Sequence, residues 1–365
     1  MIIGIDASNI KSDGGIVHLF ELLNNLKFKK TKFKKIIIWG NKNALINIKH
    51  NPKIYKIYLN HKFNNLLIRS FWQFFLLPYE LKKMKCDVFF VLGGIFFLKK
   101  IKTVSIFQNI LPFIDDDIKV YPLIQKIKFS IQKIIYLNTF KKSDGIIFLS
   151  DFSKKILDKE LDLNKKETTI IPHGVSDIFI CKKKHNFKNK VKLLYVSKID
   201  IYKKQIKIIN IIKKLKNKID VSLSLVGFYD KKNKAVLNKK IESLNLKKNV
   251  KLLGRVDYKK LPNIYRSHDI KIYASKSETF GMTMLEAMKS GLPVVAIKNQ
   301  ISKEILSDAG FFCNYSDKSL INNILKVKHN KKETLKKIDL GRKISQNYKW
   351  TKTSDKTFSF LEKFI

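Results

Sequence analysis

Two glutamates eight residues apart, Glu278 and Glu286, stand in the stretch Ser275-Lys-Ser-Glu-Thr-Phe-Gly-Met-Thr-Met-Leu-Glu-Ala-Met-Lys-Ser-Gly-Leu-Pro-Val-Val295. An apolar strand, Ile270–Tyr273, precedes them. Gly281 opens a helix predicted to run to Met288, Gly291 stops it, and Pro293 leads into the next strand. Backbone amides in the first turn of a helix have no carbonyl four residues back to bond, so those around Phe280, Gly281, Met282 and Thr283 form an anion site. Glu286 lies about one and a half turns in, where a carboxylate can accept from two vicinal hydroxyls. A hydrolytic carboxylate pair is disfavoured: eight helical residues span roughly 12 Å, beyond the roughly 5–9.5 Å of glycosidases. On charge alone the two would be a surface acid and a helix-dipole acid.

A second candidate lies near the start. Ile2–Ile5 reads as a strand, and Ser12-Asp-Gly-Gly-Ile16 precedes a helix. Gly14 and Gly15 let backbone approach a phosphate or an acceptor closely, although a tight turn explains such a pair equally well. Asp115-Asp-Asp117 is an acidic run without the setting of a metal site, and no metal ligand set is predicted.

These residues need elements to carry them. Short apolar runs at Ile2–Ile5, Lys35–Trp39, Val88–Leu92, Thr103–Phe107, Gly145–Leu149 and Thr168–Ile171 read as buried strands, with Leu123–Phe140 and Phe152–Leu161 as helices between them. A polar, lysine-rich break at Cys181–Lys190 reads as a linker. Alternation then restarts. Val191–Val196, Val221–Val226, Val250–Leu253, Ile270–Tyr273 and Pro293–Ile297 are strands; Lys203–Leu215, Lys231–Leu244, Lys259–Arg266, Gly281–Met288 and Ser302–Leu306 are helices. The tail from about Glu333 is helical and amphipathic. The pattern predicts an α/β protein of two doubly wound, Rossmann-like parallel-sheet domains, 1–176 and 177–346, facing across a cleft. A last helix, about 347–365, packs back on the first domain. Such sheets bind ligands beyond the carboxyl ends of their strands.

Composition limits the partners. The 365 residues include 74 basic and 30 acidic, a net charge of +44. That balance invites a nucleic-acid reading. Only four of the basic residues (Arg69, Arg255, Arg266, Arg342) are arginine, the preferred fork for phosphate and base edges. Lysine, isoleucine, asparagine, phenylalanine and tyrosine all have A/T-rich codons, so coding bias accounts for much of the lysine. Nucleic acid is therefore set aside, and an anionic membrane surface is the favoured anionic partner. Three scattered cysteines, Cys86, Cys181 and Cys313, suit a reducing cytosol rather than a disulfide or zinc framework. The opening MIIGIDASNI reads as a strand and not a signal peptide. The longest uncharged run, Val88–Leu98, is too short to span a bilayer. A soluble or peripheral, cytoplasmic protein follows.

The stretch Glu278-Thr-Phe-Gly-Met-Thr-Met-Leu-Glu286 with Ala-Met-Lys-Ser-Gly-Leu-Pro-Val-Val resembles the E-x7-E motif of the retaining glycosyltransferases of family 4, which have the GT-B fold. Val250–Ile270, with Gly254-Arg255-Val256, is similar to the segment before that motif. Ile170-Ile-Pro-His-Gly-Val175 is similar to the hinge "IPNGV", and Tyr348-Lys-Trp-Thr-Lys-Thr to the C-terminal "fsW…T". The resemblance covers about residues 140–365 well and the first 120 weakly. It implies that Glu278 contacts the donor sugar, that the amides of Phe280, Gly281 and Met282 hold the phosphates, and that Glu286 holds the ribose. Arg255 is a further donor contact. A family Gly-Arg-Leu-x-x-x-Lys pattern supplies two cations for the diphosphate. Here Ser197-Lys-Ile-Asp-Ile-Tyr-Lys203 puts Lys198 in the arginine's place and Lys203 at the lysine, keeping charge and losing the bidentate fork.

One position departs from the family. The His-Asp often found after the strand at Thr103–Phe107 is Gln108-Asn109 here. Gln108 can bond a sugar but cannot serve as acid or base. Of the seven histidines, His173 and His18 are the replacements to consider, His173 as a hinge residue and His18 as a helix-face residue near the glycine pair. The resemblance implies net-retaining, metal-independent transfer of a hexose, mannose-like or similar, from a nucleotide-sugar to a glycan or lipid-linked acceptor in surface polysaccharide synthesis (O-antigen, capsule or lipopolysaccharide). No cofactor beyond that donor is implied. The aromatic, basic-flanked segment His61–Lys85 suits either a core helix or a membrane interface. The competing readings are a nucleotide-sugar epimerase on the same fold and a basic nucleic-acid-binding protein, which would show a steep salt slope on DNA.

Overall fold

The computed structural model describes residues 1–11, 13–94, 101–181 and 190–365. The predicted linker at Cys181–Lys190 and the end of the Val88–Leu98 run lie largely outside the described residues. The chain divides into two compact units, Met1–Gly174 with Lys349–Ile365, and Val175–Tyr348.

The first unit holds seven parallel strands: β1 (Ile2–Ala7), β2 (Lys35–Asn41), β3 (Ile54–Leu59), β4 (Val88–Val91), β5 (Lys102–Phe107), β6 (Gly145–Phe148) and β7 (Glu167–Ile170), in the order β3-β2-β1-β4-β5-β6-β7. Its central strands are buried on both faces, as continuous apolar runs such as Val-Phe-Phe-Val in β4 require. The helix Trp350–Leu361 belongs to this unit. Ser354 Oγ donates to the Leu22 carbonyl at 2.9 Å, and Thr353 Oγ1 to that of Pro172 at 2.8 Å.

The second unit holds six parallel strands: β8 (Val191–Val196), β9 (Val221–Val226), β10 (Val250–Gly254), β11 (Ile270–Tyr273), β12 (Val294–Ile297) and β13 (Gly310–Cys313). Their order is β10-β9-β8-β11-β12-β13. β8 pairs β11 through Ile270 with Leu193, while the chain leaves β8 toward β9 and returns to β11. The strand order therefore reverses between β8 and β11, the place where open α/β sheets bind ligands. In the first unit the reversal falls between β1 and β4.

Two edge strands, β3 and β13, add to the eleven strands read from sequence. The half-exposed Ile-Tyr-Lys-Ile-Tyr-Leu of β3 lacks a continuous apolar run, and β13 begins with glycine. Helix bounds also move. The helix expected at Gly281–Met288 is Met282–Lys289, with Gly281 as its cap. That expected at Lys203–Leu215 is Gln205–Leu215 after a 3-10 turn at Ile201–Lys203. The helix placed after the glycine pair begins at Asp13, so Gly14 and Gly15 form its first turn rather than a loop before it.

Candidate active site

Three segments meet at the reversal point of the second sheet. The loop after β8 carries Lys198 and, on the 3-10 turn Ile201–Lys203, Lys203. Asp200 caps that turn by accepting from the Ile201 amide at 2.8 Å. Lys204 follows in the left-handed conformation, φ +61°. Tyr195 Oη donates to the Lys203 carbonyl at 2.5 Å, and Gln205 Nε2 donates to Ser197 Oγ and to the Lys198 carbonyl, both at 2.9 Å. The loop is thus tied down from both ends, and the Lys203 side chain is only 7 % exposed.

The loop after β11 brings Glu278 to it: Lys203 Nζ donates to a Glu278 carboxylate oxygen. The two residues stand 75 positions apart in sequence. Lys198 behaves differently. Its side chain is 55 % exposed, and its ammonium lies 3.2 Å from Asp200.

Gly281 caps the third element, the helix Met282–Lys289, in a left-handed conformation with φ +91°. A Cβ there would meet Met284 Cε at 2.6 Å and Tyr273 Oη at 3.3 Å. Only glycine fits the strand-to-helix corner that precedes the first-turn amides of Met282 and Thr283. Phe280 anchors the corner, buried with its ring 5.9 Å from that of Tyr348. Tyr273 Oη and Ser275 Oγ lie buried here with no hydrogen-bond partner among the described residues. A buried hydroxyl left unpaired costs about 1–3 kcal/mol.

Glu286 points inward. It is buried, and Tyr265, on the helix Leu261–Arg266, donates its hydroxyl to Glu286 Oε2 at 2.6 Å. Burial raises the Glu286 carboxyl above its ordinary range, opposed by the Tyr265 bond and by the charge of Lys271. Lys271 is a fully buried lysine in the middle of β11. Its Nζ donates to the Val196 carbonyl at 3.3 Å and lies 5.1 Å from the Tyr195 ring centroid. Burial pushes this ammonium down to about 7; the Glu286 carboxylate opposes that shift and Lys203 adds to it. The sequence reading passed over Tyr265 and Lys271. Only Lys271 left a signal, a charge interrupting an apolar strand buried on both faces.

Arg255 is the remaining donor candidate of the second unit. It is exposed, just after edge strand β10, with β9 and β8 between it and β11.

The remaining candidates lie beyond the carboxyl ends of the first sheet. Gly14 is exposed and Gly15 half-buried in the first turn of Asp13–Asn24. His18, on that helix, is buried, and Gln108 Nε2 donates to its Nδ1 at 2.5 Å. The amide nitrogen can only donate, so the imidazole is neutral with its proton on Nε2. Burial drives the His18 pKa to about 3. His173 is buried 4.5 Å from His18 and 5.5 Å from Trp350, ring centroid to centroid, and its pKa is likewise pushed well down. Two neutral, mutually packed imidazoles are a core arrangement rather than a general base. Asn109 Oδ1 accepts from the Leu111 amide at 3.3 Å, bracing its own turn. Asp115–Ile118 is a short helix, and Asp117 is buried in it. Among the described residues no group of three or more His, Cys, Asp or Glu is placed to hold a metal ion.

Residues 177–344 match the family model described as glycosyl transferases group 1. An uncharacterized glycosyltransferase of Methanocaldococcus jannaschii is 28 % identical over 257 residues, which cover 66 % of this chain and 64 % of that relative. The match thus spans less than two thirds of the relative's length. Among solved structures, sucrose-phosphate synthase from Thermosynechococcus elongatus superposes with a TM-score of 0.81 at 14 % identity, covering 100 % of this chain and 98 % of that one. Anabaena Alr3699/HepE, solved in complex with UDP and glucose, gives 0.76 at 16 % identity, covering 100 % of both chains. At these identities the likeness is one of fold. The two Rossmann-like, doubly wound parallel-sheet units are those of GT-B proteins.

Proposed function

We propose that the chain is a retaining glycosyltransferase that moves a hexose from a nucleoside-diphosphate sugar to a glycan or lipid-linked acceptor. The observation that carries this reading is the meeting of Lys203, Glu278 and the Gly281-capped helix at the reversal point of a parallel sheet, inside the segment that matches the glycosyl transferases group 1 model. Anabaena Alr3699/HepE, of like fold, is described with UDP and glucose. This supports a nucleotide-sugar as the ligand here.

In the proposed reaction the bond between the anomeric carbon and the diphosphate oxygen breaks, and its electron pair stays on the leaving diphosphate. Lys203 and the amides of Gly281, Met282 and Thr283 are fixed where that charge grows. Preorganised donors of this kind favour the transition state over the ground state. The acceptor hydroxyl adds to the face the diphosphate leaves, and its proton passes to a phosphate oxygen of the leaving group. No protein base is needed, in keeping with Gln108 and with the neutral, buried His18 and His173. Glu278 holds the Lys203 ammonium with one carboxylate oxygen and keeps the other for a sugar hydroxyl. Glu286, held by Tyr265, takes the ribose hydroxyls. Lys271 lies beneath, its charge facing Glu286. The metal-independent course and the place in O-antigen, capsule or lipopolysaccharide synthesis are part of this proposal, carried by the resemblance of the motif.

A thermal-shift screen with UDP-, GDP- and ADP-sugars identifies the donor: a ligand at a hundred times its Kd stabilises by about 2.7 kcal/mol. The anomeric configuration of the product, read by NMR with that donor and a glycan acceptor, then tests retention. The absence of a shift with every nucleotide-sugar tried, or release of a free epimerised sugar nucleotide without acceptor, would overturn the reading.

A further inference from the structure

The first unit leaves much apolar surface uncovered. On the helical segment Leu66–Phe71, its π turn Trp72–Leu76 and Leu77–Lys83, residues such as Leu67, 78 % exposed, and Phe71, 58 % exposed, face outward. On the twenty-residue helix Leu123–Lys142, Ile124 is 82 % exposed, and Ile127, Ile131 and Ile134 are exposed in the same way. Each segment covers the sheet with one side only. Trp72, Leu77 and Leu81 pack on Trp39, Phe89 and Val91, while Phe140 packs on Phe107 and Phe148.

The two segments share one face of the sheet. Strand register lines Phe89 with Thr103 and Val91 with Ser105, and two residues further along β5, Phe107 pairs with Phe148. The anchoring side chains of both helices therefore point to the same side. Right-handed crossovers agree: the connections β3 to β4 and β5 to β6 run in the same direction across the sheet, opposite to β1 to β2. Positive charges of Arg69, from the first segment, and Lys128, from the second, both bear on Lys11 and help hold its ammonium below the usual range, after burial. The two apolar faces thus lie on the same side of the sheet, each with basic residues in its segment.

Charge selects the occupant. His61–Lys85 and Leu123–Lys142 together hold ten lysines and arginines and one acid, Glu80. That acid is already engaged by Trp72 Nε1 at 3.0 Å. A second copy docking face to face would set like charge against like. An exposed apolar face interleaved with lysines is instead complementary to a bilayer of anionic lipid: side chains enter the acyl boundary and ammoniums meet headgroup phosphates.

We propose that the outward faces of Leu66–Lys83 and Leu123–Lys142 form one docking surface for an anionic lipid bilayer. This deepens the glycosyltransferase reading, since a lipid-linked acceptor would lie in that bilayer, but the binding itself needs no donor and is measured without one.

The full chain is sedimented with vesicles of phosphatidylcholine alone and of phosphatidylcholine with phosphatidylglycerol. Expected is recovery with the anionic vesicles, weakened by salt, and little with the neutral ones. The variants Leu67→Gln/Phe71→Gln and Ile124→Gln/Ile127→Gln alter exposed positions and keep the wild-type melting temperature. Each lowers the vesicle partition constant by on the order of ten-fold. The proposal is overturned by equal recovery of wild type and variants, by no recovery with anionic vesicles, or by a concentration-dependent dimer that the variants dissolve. Donor-induced thermal shift, run alongside, reports separately on the glycosyltransferase reading.

Discussion

Lys203, from the loop after β8, and Glu278, from the loop after β11, form an ion pair at the point where the strand order of the second sheet reverses. The lysine side chain is almost wholly enclosed and the glutamate's is 24 % exposed, so the pair presents one carboxylate edge outward. A buried pair is costly to break by removing one member, since the other is left uncompensated. Lys203→Met and Glu278→Gln are each expected to lower sugar transfer on the order of 10²-fold. The double variant should lose less than the product of the two, because the orphaned charge disappears. Rates for the four proteins in a double-mutant cycle test this; strict additivity would show that the residues act independently.

Tyr265 touches no proposed ligand atom, yet its hydroxyl holds Glu286 Oε2 at 2.6 Å. Tyr265→Phe removes that bond and leaves the ring in place. Hydrogen bonds to charged groups contribute about 1.5–3 kcal/mol, and part of that is felt as misplacement of the carboxylate. Donor affinity should fall roughly ten-fold, with KM rising and kcat changing little. An unchanged KM would remove Glu286 from ribose binding, or Tyr265 from positioning it.

Gly281→Ala tests the corner that aims the helix. At φ +91° an alanine costs about 1–2 kcal/mol, and its Cβ would press on Met284 and Tyr273. Chemical denaturation should report that loss, and donor titration a weaker affinity as the amides tilt. Stability lost with donor binding intact would mean that the amides do not hold the phosphates.

His18 and His173 give an acid signature. Both have folded pKa values below the ordinary 6.5, that of His18 about 3. Between those values the unfolded chain binds more protons than the folded one, so stability rises with pH there and is lost as pH falls from 6.5 toward 3. Each imidazole contributes a slope of up to about 1.4 kcal/mol per pH unit. Asp6 and Glu286, with raised pKa values, oppose this slope, so the comparison must be with a variant. Unfolding free energies at several pH values between 4.5 and 6.5 should fall less steeply for His18→Asn than for the wild type. Parallel curves would mean that His18 is not neutral and buried as described.

Much of this molecule can be read along the chain. Continuous apolar runs such as Val-Phe-Phe-Val in β4 and Gly-Ile-Ile-Phe in β6 announce strands covered on both sides, because only a parallel sheet between helices buries both faces at once. Gly281 after β11 marks the corner that only glycine can turn, and so the start of the next helix. These signals are local: they depend on periodicity of two or 3.6 and on the steric freedom of single residues. The edge strands β3 and β13 are covered less evenly or begin with glycine, and their local patterns are correspondingly weaker.

What the chain by itself left open is which charges face one another. Lys203 meets Glu278 across 75 residues, and Tyr265 meets Glu286 across 21. Lys271 and its ammonium are set beneath them by strand order alone. Likewise, the sheet takes only one side of the helix Leu123–Lys142 and leaves Ile124, Ile127, Ile131 and Ile134 exposed. Residue types determined what chemistry was available, because donors, acceptors and apolar surface are properties of side chains. The tertiary structure decided how strongly each acts, because burial and pair distance set the electrostatic energy of a charge, and both are created only when distant strands are brought side by side.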